Sequence, residues 1–173
     1  QTVSFDAKAN ADLHDTLILS ATHQLNERWE LLGDVSWTGW SSIPQLKIKN
    51  SGPGARDDVL PLNFRDTWRV AVGTNYKFAP DWKWKFGLAF DQSPVHDAAD
   101  RPTSLPDNDR YWFSTGVQWA ATKSTTIDVG YTYLYLRKTD IDTTSGSQAT
   151  KGRVAGTYDS SGHIFGLQLS SRF

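Results

Sequence analysis

The sequence predicts an all-β protein, a transmembrane antiparallel β-barrel wall of about seven strands. Apolar and polar side chains alternate along seven segments, as they do where the two faces of a strand meet different surroundings. Short and long connections alternate between these segments, which is the asymmetry of outer-membrane barrels. Aromatic residues concentrate near both ends of the segments, where the two interfaces of a membrane would lie.

Composition excludes several other classes of protein. The chain has 173 residues and contains no cysteine and no methionine, so disulfides and thiolate metal sites are excluded. Its 18 basic and 19 acidic side chains give a net charge of −1, which lacks the basic excess of a nucleic-acid-binding protein. No stretch approaches the roughly 18 consecutive apolar residues of a membrane-spanning helix. An all-β chain is what remains.

The first two segments show the alternation with different clarity. The first spans about Val3–Leu25 and carries leucines at alternate positions, although Asp15 and Ile18 blur its pattern. The second, Trp29–Ser41, has Trp, Leu and Val at odd positions and mostly polar residues or glycine at even positions. We therefore predict one apolar and one polar face for these strands.

Five further segments repeat the pattern, and several of them are rich in aromatic residues on the apolar face. They are Trp68–Phe78, Trp82–Asp91, Tyr111–Trp119, Ile127–Lys138 and Phe165–Phe173. Some of the predicted strands run beyond about 12 residues, longer than the usual 5–6 of soluble proteins. The alternating strand that ends at Phe173 is typical of the closing strand that the barrel-assembly machinery recognises, so this machinery is an expected partner.

The connections between the segments fall into two classes. Tight turns at 24–28, 79–81 and 121–124 alternate with long polar loops at 44–63, 94–108 and 139–162. Seven antiparallel strands cannot close on themselves, because the first and the last run in the same direction. We therefore expect residues 1–173 to be a single partial β-barrel domain, whose remaining strands are supplied elsewhere.

Several charged residues and two tryptophans occupy the polar parity of the strands or a loop junction, and we take them as candidate site residues. The candidate ligand-binding residues are Arg65, Arg69, Arg110, Trp40 and Trp112, and the candidate charge network of the lumen is Asp34, Asp91 and Asp128. Two interpretations stay open. The arginines attract the head group of a ligand, or arginines and aspartates pair with each other along a polar barrel interior.

Catalytic and cofactor signals are weak. The four histidines show neither metal spacing nor a hydrolase signature, and no phosphate-binding glycine motif occurs. We predict no catalytic residue, no metal site and no cofactor. An outer-membrane barrel enzyme, a hydrolase or acyltransferase, stays an alternative that would use His163 near Ser160 and Ser161. A soluble lectin-like sandwich is a second alternative.

Four segments, in order along the chain, resemble motifs of the FadL family of outer-membrane long-chain fatty acid transporters. They are Phe64–Thr74, Gly87–Val95 (GLAFDQSPV), Leu105–Trp112 (LPDNDRYW) and Asp128–Tyr133. The order and spacing of the segments fit, and the resemblance covers most of residues 13–173. The lysine of this family that pairs with the fatty-acid carboxylate aligns near Leu60 and is not matched.

The resemblance implies a barrel of 14 antiparallel strands, of which this chain would be the C-terminal half, without the N-terminal hatch and the first strands. It implies passive transport of long-chain fatty acids or similar hydrophobic molecules across the outer membrane of a Gram-negative bacterium. An aromatic hydrocarbon uptake channel is the alternative within such a family. Expected partners are the hydrophobic ligand and outer-membrane lipid, lipopolysaccharide or detergent.

Overall fold

The computed structural model describes residues 6–10, 13–51, 57–103, 106–145 and 152–172. These residues form twelve β-strands and one short 3-10 helix, Trp40–Ser42. The strands are β1 (Asp6–Asn10), β2 (Thr16–Gln24), β3 (Trp29–Thr38), β4 (Gln45–Ser51), β5 (Asp58–Pro61), β6 (Thr67–Ala79), β7 (Trp82–Asp91), β8 (Arg110–Ala120), β9 (Thr125–Leu136), β10 (Thr139–Asp142), β11 (Ala155–Tyr158) and β12 (Ser161–Ser171). No helix among the described residues is both long and apolar enough to cross a membrane.

Seven of the strands form one antiparallel sheet in the order β12–β9–β8–β7–β6–β3–β2. The predicted wall of seven antiparallel strands is therefore confirmed. Within the described part of the chain, β2 and β12 each pair on one side only, so the sheet is open at both edges. An open sheet is what an odd number of antiparallel strands requires, and it agrees with the prediction of a partial barrel.

The prediction for the first strand, Val3–Leu25, is wrong in its extent. Only β2 joins the main sheet, whereas β1 pairs with β4 in a separate three-stranded sheet that also contains β5. Just before β2, the N–H of Gly39 donates to the carbonyl oxygen of Asp15 at 2.9 Å. The interruption of the alternation at Asp15 thus lies directly before the start of β2 at Thr16. Residues 1–5 and 11–12 of this segment lie outside the described residues.

Other strand ends differ by one to four residues from the prediction, and the largest difference is at β12, which begins at Ser161 instead of Phe165. β3 ends at Thr38 instead of Ser41, because the chain turns into the 3-10 helix, and β9 ends at Leu136 instead of Lys138. The long loops contain β4, β5, β10 and β11, which were not predicted. Phe173, the predicted recognition residue of the barrel-assembly machinery, lies outside the described residues.

The face of the main sheet that carries the predicted apolar positions, here called the outer face, is exposed. At its mid-height Val72, Leu88 and Phe113 lie in one row and are 58%, 54% and 48% exposed. Among the described residues, the buried hydrophobic side chains are Val95 and Ile141, and both lie outside the main sheet. A soluble sandwich would bury its aromatic face in a core between two sheets. The described residues contain no such core, so the sandwich alternative is wrong.

Aromatic side chains form a row near each end of the outer face. In one row the rings of Trp82 and Trp119 stack with centroids 5.5 Å apart, and in the other Phe90 and Tyr111 lie 5.3 Å apart. Such rows match the aromatic girdles at the two interfaces of a membrane. The tight turns adjoin the row of Trp82, so this end is the periplasmic end, and the long loops extend from the extracellular end.

The loop between β7 and β8 packs with β10 and β11 into a structured cap at the extracellular end. The buried hydroxyl of Ser93 donates to Asp107 Oδ2 at 2.8 Å, and the Ser93 N–H donates to Asp109 Oδ1 at 3.0 Å. Arg101 Nε donates to the Asp107 carbonyl at 2.9 Å, and its guanidinium also binds the Asp140 carbonyl. Burial lowers the pKa of Arg101, which the charges of Asp107 and Asp140 oppose. This network holds the loop between β7 and β8 together and joins it to β10.

Substitution of Val72 by arginine is expected to destabilise the sheet strongly, because Val72 lies midway between Trp68 and Tyr76 on the outer face. A cation at the bilayer midplane costs a transmembrane barrel about 2–4 kcal/mol. Denaturant unfolding of the intact protein in lipid vesicles measures this cost. The neighbouring inner-face variant Ala71→Arg, which is opposite Asp34, is the matched control and should lose far less. Equal losses would contradict the assignment of the two faces.

Asp107→Ala is expected to loosen the cap, because it leaves the buried Ser93 hydroxyl without its acceptor. An unsatisfied buried polar group costs about 1–3 kcal/mol. Amide hydrogen exchange across residues 93–103 and 106–109 measures the local opening. The double variant Ser93→Ala/Asp107→Ala is the control, and it should be less destabilised than the sum of the single variants because the two residues interact directly. Additive effects would show that the hydrogen bond contributes nothing.

Candidate functional site

The opposite side of the main sheet, here called the inner face, carries three ion pairs between cations and the predicted lumen aspartates. Arg69 Nη1 lies 2.8 Å from Asp34 Oδ1, Arg110 Nη2 lies 3.2 Å from Asp91 Oδ2, and Lys85 Nζ lies 2.6 Å from Asp128 Oδ1. The six side chains are between 19% and 40% exposed, so water reaches all three pairs. The structure thus gives each predicted aspartate a cation.

Of the two arginines on the inner face, Arg110 has two acidic partners and Arg69 has one. Besides Asp91 it meets Asp107 of the cap, with 3.7 Å between Arg110 Nη1 and Asp107 Oδ1. Its Nε is buried and has no hydrogen-bond partner among the described residues. The guanidinium therefore joins β8 to both β7 and the cap, and it is the residue through which the inner face and the loops are connected.

Lys85 reaches Asp128 across an intervening strand, a contact that sequence reasoning missed. Lys85 is opposite Gly116 on β8, and Asp128 lies on β9 beyond it. A Cβ at Gly116 would lie 2.8 Å from the carbonyl oxygen of Val129, so the close backbones require glycine here. Gln118 Nε2 donates to both carboxylate oxygens of Asp128 at 3.0 Å. Because Gly116 has no side chain, the Lys85 side chain can extend over β8 to Asp128.

Arg65 lies in the loop before β6, and it donates hydrogen bonds to the backbone of the loop after β7. Its Nε donates to the Ser93 carbonyl at 3.0 Å, and its N–H donates to the Pro94 carbonyl at 2.9 Å. The bridge between Phe64 and Val95 lies beside these bonds. Arg65 therefore fixes the loop before β6 to the loop after β7.

The two predicted tryptophans occupy different environments. The expectation that Trp40 lies on a strand is wrong, because β3 ends at Thr38 and Trp40 begins the 3-10 helix. There it packs against His14, with ring centroids 4.0 Å apart, and against the edge of Phe64 at 6.1 Å. Trp112 lies on the inner face of β8 as predicted, half-buried, with its Nε1 buried and unpartnered among the described residues.

Apolar side chains continue from Trp112 along the inner face. We call the set Trp112, Leu134, Leu136 and Ile164 the apolar strip. Leu134 is directly opposite Trp112, and Leu136 is opposite Arg110. The strip was missed beyond Trp112, although Leu134 and Leu136 stand at the polar parity of an otherwise regular strand. It places apolar surface next to the ion pair of Arg110.

A groove of about 680 Å³ lies on the inner face across β7, β8, β9 and β12. Its lining includes Gly87, Gly130 and Gly166. A Cβ at Gly166 would meet nothing within 4 Å, and one at Gly130 would meet only the Thr115 carbonyl oxygen at 3.9 Å. The sheet itself does not require glycine at these two positions. The missing side chains keep the groove open beside Ile164.

His163, the histidine of the enzyme alternative, points to the outer face. Its Nδ1 lies 2.8 Å from the hydroxyl of Tyr131, and its ring lies 5.3 Å from that of Tyr133. Among the described residues no carboxylate contacts it. The histidine, serine and acid that this alternative requires do not converge there.

Solved structures of outer-membrane proteins share this architecture. A Pseudomonas aeruginosa FadL homologue superimposes with a TM-score of 0.84 at 31% identity, over 95% of this chain and 37% of that chain. The Pseudomonas putida toluene transporter TodX has the same fold, with a TM-score of 0.67 at 17% identity, over 97% of this chain and 36% of that chain.

Sequence similarity leads to the same group. The long-chain fatty acid transport protein of Escherichia coli K12 is 34% identical over 119 residues, which are 68% of this chain and 26% of that protein. The chain thus spans about a third of the length of its relatives or less. The sequence model of the family described as "Outer membrane protein transport protein (OMPP1/FadL/TodX)" matches residues 1–173. The chain therefore belongs to the OMPP1/FadL/TodX family of outer membrane transport proteins.

Proposed function

We propose that the protein transports long-chain fatty acids or similar hydrophobic molecules passively across the outer membrane of a Gram-negative bacterium. Membership of a family of outer membrane transport proteins supports this proposal, as does the similarity to a protein named for long-chain fatty acid transport. The proposal concerns the whole protein, of which this chain supplies one part of the wall.

The observation that carries the proposal is the amphipathic character of the inner face. A fatty acid has a long apolar tail and one carboxylate, so its path needs apolar surface and cations close together. The apolar strip provides the first, and Arg110, in register with Leu136, provides the second. The groove beside Ile164 gives an extended ligand room along the wall.

Each candidate residue has a place in this proposal. Trp112 contacts the tail, and Arg69 and Arg110 attract the carboxylate while Asp34 and Asp91 hold their guanidinium groups in position. The remaining candidates act at two levels of the wall. Arg65 and Trp40 belong to the loops at its extracellular end, and Asp128 holds Lys85 in the lining of the groove.

The proposed partners follow from the two faces. The outer face contacts membrane lipid and lipopolysaccharide, or detergent after extraction, because its aromatic and aliphatic side chains are exposed. The barrel-assembly machinery inserts the protein. We propose that the protein is not an enzyme, since several of its relatives are named for transport.

Uptake of aromatic hydrocarbons is the second candidate function. One observation favours it: Arg69 and Arg110 are already paired with aspartates, so the carboxylate of a fatty acid competes with Asp34 and Asp91 for them. An uncharged aromatic ligand would use the apolar strip alone and would leave both ion pairs intact.

Expression of the intact protein in a strain that lacks fatty acid uptake is expected to restore growth on oleate. Leu134→Gln should lower oleate uptake about tenfold, because it places a polar amide in the middle of the apolar strip and forfeits the burial of a leucine. Uptake of labelled oleate at equal protein abundance in the outer membrane measures the effect.

Tyr135→Phe is the matched control for this variant, since Tyr135 is the next residue and lies on the outer face. It should leave uptake unchanged. Toluene uptake is measured in parallel. Restoration of toluene uptake without oleate uptake would replace the first candidate function by the second, and restoration of neither would contradict both.

A further inference from the structure

A second groove, of about 420 Å³, lies on the outer face across β7, β8 and β9, and we call it the outer groove. The outer-face side chains that line it form two adjacent rows: Phe86, Thr115 and Tyr131 in the lower row, and Leu88, Phe113 and Tyr133 in the upper row. Thr115 is the one small side chain among them. Because it lies between the larger side chains of Phe86 and Tyr131, it leaves a gap that a ring at the same position would fill.

The outer groove lies within the main sheet, away from its open edges. Each of its three strands has both neighbouring strands in the described part of the chain. Further strands would pair at the edges of β2 and β12, and the lumen is on the opposite side of the sheet. The outer groove is therefore continuous with the face that meets membrane hydrocarbon.

The position of the rows along the strands gives the depth of the outer groove. Phe86 lies midway between Trp82 and Phe90, which belong to the two aromatic rows, and Leu88 lies two residues closer to Phe90. The outer groove therefore extends from mid-height toward the extracellular end. Directly above it, the rings of Tyr111 and Tyr135 lie 6.2 Å apart. Tyrosines at a membrane interface combine an apolar ring with a polar tip, so this is the level of a lipid head group.

Two hydroxyl groups of the lining are already hydrogen-bonded within the protein. Trp84 Nε1 donates to Thr115 Oγ1 at 3.0 Å, which holds the Trp84 ring next to the lower row. The hydroxyl of Tyr131 lies 2.8 Å from His163 Nδ1. A polar group in hydrocarbon is costly unless it is hydrogen-bonded. Since these hydroxyls have partners, an occupant of the outer groove needs no polar group at this depth, and a hydrocarbon chain fits.

We infer that the outer groove binds one acyl chain of a lipopolysaccharide molecule in the outer leaflet. Lipopolysaccharide forms the extracellular leaflet of a Gram-negative outer membrane, and its chains descend from a head group at the level of Tyr111 and Tyr135. A chain from this leaflet ends near mid-height, as the outer groove does. Unless a chain fills the gap over Thr115, the surrounding rings lose van der Waals contacts. The inference goes beyond the proposed function and does not depend on which molecule is transported.

The test titrates the intact protein, in mild detergent, with purified lipopolysaccharide and, separately, with phosphatidylethanolamine. Native mass spectrometry measures the apparent dissociation constant of each lipid. Thr115→Phe fills the gap and should raise the constant for lipopolysaccharide about fivefold, the factor expected for loss of the packing contacts of a few methylene groups. Phosphatidylethanolamine should bind more weakly and should be unaffected by this variant.

Two control variants separate the shape of the outer groove from other effects. Thr115→Val keeps the shape but removes the acceptor of Trp84, and it should bind lipopolysaccharide like the wild type. Val117→Phe adds the same ring one row lower on β8, outside the lining of the outer groove. It should also bind like the wild type.

Selective weakening of lipopolysaccharide binding by Thr115→Phe supports the inference. Unchanged binding in this variant, or an equal loss in Val117→Phe or Thr115→Val, would overturn it, because the shape of the outer groove would then not decide the affinity. Phosphatidylethanolamine that binds as tightly and responds to Thr115→Phe in the same way would overturn the assignment to lipopolysaccharide. None of these results bears on oleate uptake, so the inference and the proposed function fail separately.

Discussion

The backbone of a chain in hydrocarbon has to satisfy all its hydrogen bonds within the protein, because no water is available there. The main sheet meets this requirement through six antiparallel ladders that keep their register, with one shift near the periplasmic end of β6. Since side chains alternate between the faces along each strand, a constant register also gives the sheet one apolar and one polar face. Within the described residues the outer edges of β2 and β12 do not pair, so in hydrocarbon both edges require further strands to pair with them.

The inner face follows from this arrangement. Its side chains look into the lumen, so charges are tolerated there provided that they pair or stay hydrated. The extracellular half of the lumen has paired charges beside the apolar strip, whereas among the described residues Lys77 and Lys83 near the periplasmic end form no ion pair. Gly116 lies between the two regions. It allows the close approach of β8 and β9 and leaves space for the Lys85 side chain to reach Asp128 across β8. The electrostatic environment of this wall therefore changes from the extracellular to the periplasmic end.

Much of this organisation could be predicted from the sequence, because a period of two is a strong signal when it is repeated seven times. The faces of Arg69, Asp91 and Arg110 followed from it directly. The contact between Lys85 and Asp128 could not be predicted, since it joins strands that are not neighbours and depends on the glycine between them. The cap was also missed. The cap is ordered by hydrogen bonds such as the one between Ser93 and Asp107 across a loop. Such bonds produce no periodic pattern in the sequence.

The central claim is that hydrocarbon surrounds the outer face. Because the chain contains no cysteine, single cysteines can be introduced along β7 of the intact protein and labelled with nitroxides in lipid vesicles. Labels at 86, 88 and 90 should collide preferentially with oxygen, which concentrates in hydrocarbon, and labels at 85, 87 and 89 with a water-soluble nickel chelate. Alternation of accessibility with a period of two residues is the predicted result. Preferential collision of the even positions with the nickel chelate would contradict the account.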